Sequence, residues 1–149
     1  MSEDSAARIA RITQERGVTV AAAESLTGGM IATRLAAAEG ASTWFRGGVV
    51  AYSTEAKRKL LGVSAGSVVS SEAAEQMAHG VMALMDADVA VAVTGAGGPD
   101  PQDGREPGTV FVAVGGDDGI EVTEHRLDGD PGAICAATTE LALVRSAPR

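Results

Sequence analysis

The chain has 149 residues, a formal net charge of −8 at pH 7, and one Trp, one Tyr and two Phe as its aromatics. An acidic surface repels phosphate backbones, which argues against a nucleic-acid partner. No apolar run reaches bilayer-spanning length, and the acidic start Ser2-Glu3-Asp4 lacks a signal peptide's basic opening, so a soluble, cytoplasmic protein without a membrane partner is expected.

The length suits a single domain over residues 1–149, with a core of small aliphatic side chains. Cys135 is the single cysteine, so no intrachain disulfide can form; its apolar, helix-like surroundings predict a buried, inert thiol.

In chain order, Ser5–Glu15 reads as an amphipathic helix ended by Gly17. Val18–Ala23 reads as a strand that turns at Ser25 into a helix from about Thr27 to Ala38. Gly40–Arg46 reads as a loop around Trp44 and Phe45. A buried strand, Gly47–Ser53, follows, then a short helix Glu55–Leu61 capped by Thr54 and stopped by Gly62. Glu72–Met85 has helical periodicity, and Ala87–Thr94 carries the Val-Ala-Val-Ala-Val of a strand covered on both faces. Gly95–Pro107 is a long Gly/Pro/Asp loop, of a length that is often functional. Gly108–Val114 and Ile120–Leu127 flank a Gly-Gly-Asp-Asp-Gly turn as a hairpin, and a last helix runs from Pro131 to about Val144. This order predicts an α/β fold: a three-layer α/β/α sandwich on a mixed, mostly parallel sheet of about five strands.

Three strand ends are polar or glycine-rich: Glu24-Ser25, Tyr52-Ser53 and Thr94-Gly95. Parallel strands gather their carboxyl ends at one sheet edge, where ligands bind. Ser25, with Thr27, Gly28 and Gly29 beside it, is placed there as a nucleophile facing an oxyanion, or as part of a phosphate cradle. Helix capping and turn formation account for the same residues without chemistry.

A Ser nucleophile needs a base. The two histidines, His79 and His125, fall away from the strand ends, which leaves Lys57, with Tyr52 as a proton relay. The competing readings are a solvated helix cation beside Arg58 and Lys59, and a core aromatic with its hydroxyl at the surface. The Thr94-Gly95-Ala96-Gly97-Gly98-Pro99-Asp100 loop fails the dinucleotide pattern, because its prolines forbid the required helix; it serves better as a backbone wall or a second set of N–H donors. No P-loop and no metal-ligand spacing is present, so neither metal nor cofactor is expected.

Together these segments resemble the CinA C-terminal domain family, which includes nicotinamide-nucleotide amidohydrolases. The resemblance rests on Ala23-Glu24-Ser25-Leu26-Thr27-Gly28-Gly29, the run from Phe45 to Lys57, Leu60-Leu61-Gly62-Val63, Val93 to Asp100, Pro107-Gly108-Thr109-Val110, and Gly129-Asp130. It implies hydrolysis of the carboxamide of nicotinamide mononucleotide to nicotinate mononucleotide and ammonia, in pyridine-nucleotide salvage. Ser25 would be the nucleophile, and Lys57 with Tyr52 its activators. It also implies a three-layer sandwich, a homodimer or higher homo-oligomer, and a pyridine nucleotide held by Glu24, Thr27, Gly28, Gly29, Thr94, Gly95, Gly97 and Gly98. The family's larger members carry an additional N-terminal domain, which is not expected in these residues. Leu26 stands where the family often has Cys, Thr54 where it has Asn, and Pro131 where an Arg often follows the Gly-Asp. Arg46 and Arg105 are the candidate replacements for that anion contact. A non-catalytic nucleotide-binding or sensing module of the same fold is the alternative.

Overall fold

A computed structural model describes residues 4–147. Its elements are α1 (Ser5–Arg16), β1 (Val20–Glu24), α2 (Met30–Ala36), α3 (Ala41–Trp44), β2 (Phe45–Val50), α4 (Thr54–Leu61), α5 (Ser71–Met85), β3 (Val89–Gly95), β4 (Thr109–Gly116), β5 (Gly119–Arg126) and α6 (Pro131–Ser146). The strands form one sheet in the order β2-β1-β3-β4-β5. β1 pairs in parallel with β2 and β3, while β4 is antiparallel to both β3 and β5. The sheet is therefore mixed and five-stranded, as expected, and only β4 runs against the others.

Alternation along the strands separates two cores. Ala21, Ala23, Ala90, Ala92, Phe111 and Ala113 face α4 and α5. Val20, Ala22, Val91, Val93, Val110 and Val112 face α1, α2, α3 and α6. A sheet covered on both faces is the α/β/α sandwich that the element order predicts.

Small residues set the spacing of the layers. A Cβ on Gly80 of α5 would come within 2.1 Å of the Leu61 carbonyl oxygen at the end of α4, so only glycine lets these helices approach so closely.

Several boundaries depart from the sequence reading. The Gly40–Arg46 stretch holds a one-turn helix, α3, and the first two residues of β2. Ser53, not Thr54, caps α4: its hydroxyl accepts from the Ala56 N–H at 3.0 Å. α2 begins at Met30 rather than Thr27. Among the described residues, no helix is long and apolar enough to cross a membrane.

Candidate active site

β1 hydrogen-bonds to β2 on one side and to β3 on the other. Such a switch point opens a crevice beyond the strand ends. A cavity of about 240 Å³ lies there, lined by Ser25, Leu26, Tyr52, Gly95 and the 97–102 segment. A larger one of about 590 Å³ sits at the opposite sheet edge, against α1 and the β4–β5 turn, and is walled mainly by hydrocarbon. We assign the site to the smaller cavity, because the three polar strand ends meet there and the larger one contains none of them.

Ser25 follows directly on β1 and opens a tight turn in which the Gly28 N–H donates to the Ser25 carbonyl at 3.1 Å. Gly28 and Gly29 have φ of 58° and 105°, values that other residues reach only with strain. The Ser25 hydroxyl is hydrogen-bonded to none of the described residues.

Glu24 is almost wholly buried. One carboxylate oxygen accepts from the Thr27 hydroxyl at 2.6 Å and from the N–H groups of Gly29 and Ile31 at 3.2 and 2.9 Å; the other accepts from Ala32 N–H at 2.9 Å. The start of α2 thus holds its own anion. Glu24 and Thr27, expected to contact a substrate, instead pin the helix to the strand, and Gly28 and Gly29 have no N–H to spare. The N–H groups of Leu26, Thr27, Gly97 and Gly98 have no acceptor among the described residues; of these four, Leu26, Gly97 and Gly98 line the cavity and Thr27 does not. Cys135 in α6 is half-buried rather than buried as expected; its thiol donates to the Leu26 carbonyl at 2.9 Å and fixes the same turn, and its partial burial pushes its pKa up.

Lys57 is 0 % exposed. Burial pushes its ammonium pKa below the ordinary value, and the charge of Asp103 opposes the shift in part. Its Nζ donates to the Tyr52 backbone carbonyl at 3.1 Å. Lys57 and Tyr52 therefore meet, but through the main chain. The Tyr52 side chain is 70 % exposed, with its hydroxyl unpartnered among the described residues, so the expected relay is not assembled. Lys57 stands behind the pocket wall rather than in it, and no hydrogen bond joins it to Ser25.

The other expected contacts divide. Gly95, Gly97 and Gly98 line the pocket. Thr94 does not: its hydroxyl donates to the Val68 carbonyl at 2.5 Å and ties β3 to the loop before α5. Arg46 lies at the opposite end of β2 and caps α5 through the Met85 carbonyl at 3.1 Å. Arg105 donates to the Val69 carbonyl at 3.2 Å and stacks over Phe111, 5.4 Å from the ring centroid. Neither arginine lines the pocket. Among the described residues no cluster of His, Cys, Asp or Glu could hold a metal. Asp100, which the sequence reading placed at the end of the glycine-rich loop without a role at the ligand, also lines the pocket, as does Gln102, which it did not single out; their place in the long loop after β3 was the available signal.

A serine on the turn after β1, beside a free N–H donor and near a buried lysine, marks an open-sheet α/β domain with a polar pocket at its switch point. The chain belongs to the CinA C-terminal domain family, whose description matches residues 2–147. It is 43% identical over 138 residues to a CinA-like protein of Frankia casuarinae, covering 88% of this chain and 32% of that protein. It is 40% identical over 141 residues to a CinA-like protein of Geobacter sulfurreducens, covering 91% and 34%. The chain thus spans about a third of the length of these curated relatives. A crystal structure of a competence-damaged protein (CinA) superfamily member from Klebsiella pneumoniae superimposes with a TM-score of 0.91 at 35% identity, over 96% of this chain and 93% of that one.

Proposed function

We propose that this domain hydrolyses the carboxamide of a pyridine nucleotide, nicotinamide mononucleotide, by serine acyl transfer. The observation that carries the reading is the turn after β1. Ser25 lines a polar pocket at the switch point together with Leu26, whose N–H has no acceptor among the described residues. The Ser25 oxygen attacks the carboxamide carbon, and neutral Lys57 takes the hydroxyl proton. The N–H groups of Leu26 and of the Gly97-Gly98 segment hold the tetrahedral oxyanion, a donor each being worth roughly a hundredfold in rate. Collapse breaks the C–N bond, Lys57 returns a proton to the departing ammonia, and water cleaves the Ser25 ester to the carboxylate. The scheme requires Ser25 and Lys57 to meet in the substrate complex, through a rotamer change or one water.

The test is ammonia release from nicotinamide mononucleotide by the purified protein, with Ser25→Ala alongside. Release by the parent and none by a folded variant is the expected result. Equal release by both removes Ser25 from the chemistry. No release by either, with binding intact, returns the domain to the nucleotide-sensing alternative.

A further inference from the structure

The electrostatic character of the pocket wall is one-sided. Asp100 is the single charged residue among those that line it. Its carboxylate has no ion-pair or hydrogen-bond partner among the described residues. Tyr52 lines the same cavity with a largely exposed ring. Positive charge is kept away: Arg46 and Arg105 are tied to the Met85 and Val69 carbonyls, and Lys57 is buried behind the wall. At the start of α2, Glu24 already occupies the place a phosphate would take.

A carboxylate and an open aromatic face without a cation favour a positively charged, planar group. We propose that the pocket selects its ligand by the positive charge of an N-substituted pyridinium ring, with Asp100 as counter-charge and Tyr52 as ring platform, and leaves the phosphate in solvent. This inference rests on the pyridine-nucleotide reading above. It also gives Tyr52 a role in binding, where the relay reading gave it one in proton transfer.

Binding to Ser25→Ala protein, measured by calorimetry, tests it apart from turnover. Three probes separate the contributions: nicotinamide mononucleotide, its reduced dihydro form with an uncharged ring and the same phosphate, and nicotinamide riboside with the pyridinium and no phosphate. The oxidised mononucleotide should bind roughly three- to tenfold more tightly than the reduced form, the scale of a partly exposed cation contact. The riboside should lie within about threefold of the mononucleotide, as expected for a phosphate left in water. Adding Asp100→Asn should reduce the oxidised-over-reduced preference to about twofold or less, since the counter-charge is gone. Tyr52→Phe should keep the preference and Tyr52→Leu should lower it.

Equal binding of oxidised and reduced forms, loss of more than about tenfold on removing the phosphate, or no binding of any probe would overturn the inference. A preserved pyridinium preference without ammonia release by the parent protein would leave the inference standing and remove the amidase reading. Ammonia release without that preference would do the reverse.

Discussion

Lys57 has a pKa lowered by burial from an ordinary 10.5, and this makes stability depend on pH with a definite sign. Below its folded pKa the native chain buries an ammonium. Between that value and 10.5 the native chain has released the proton while the unfolded chain still holds it, so stability rises with pH across this window. Above it the two states match. Lys57→Met should therefore be inactive yet more stable than the parent at pH 7, by about 1 kcal/mol or more, with the advantage fading as pH approaches 10.5. Urea melts of parent and variant at pH 7 and pH 10 check this. With Lys57 as the proposed base, log kcat/KM of the parent should climb as pH rises towards the folded pKa of Lys57 and level off above it. Thr109 makes the opposite kind of contribution. Its hydroxyl is the one buried side-chain oxygen or nitrogen without a partner among the described residues. Thr109→Val should be neutral or stabilising by up to about 1 kcal/mol, seen as a Tm at or above that of the parent.

At the scale of elements, the start of α2 depends on Glu24 rather than on a residue at the usual capping position; Gly29 holds that place and offers no side chain. Glu24→Gln keeps the shape but turns one acceptor into a donor that faces a backbone N–H. The variant should lose about 2 kcal/mol, read from the urea midpoint. Gly80→Ala should cost more than an ordinary helical substitution, because α4 and α5 must separate; far-UV helicity should persist while the midpoint falls. Most elements were legible because short apolar runs bounded by turn residues and the helix stops at Gly17 and Gly62 are local signals. Glu24 was misread because its acceptor role spans five to eight residues, outside the spacing of a capping box. α3 was missed because four residues show no periodicity. Arg46 and Arg105 were assigned to the ligand because their charge is visible in sequence, whereas the carbonyls that hold them belong to distant segments.

For the molecule as a whole, the decisive fact was the strand order. That β1 lies between β2 and β3 cannot be read from any one segment, yet it alone brings Ser25, Tyr52 and the Gly95 loop to one crevice. Trp44, the only tryptophan, is buried in the layer of α1, α2 and α6, where its indole N–H donates to the Glu39 carbonyl at 3.1 Å. It is not among the residues that line the pocket. With excitation at its own absorption edge, Trp44 is thus a single tryptophan fluorophore buried in one layer and set apart from the pocket. Its emission should be blue-shifted in the native state and unquenched by a bound pyridine ring. A red shift would then report the opening of that layer alone, so fluorescence can follow unfolding at any ligand concentration without correction for binding.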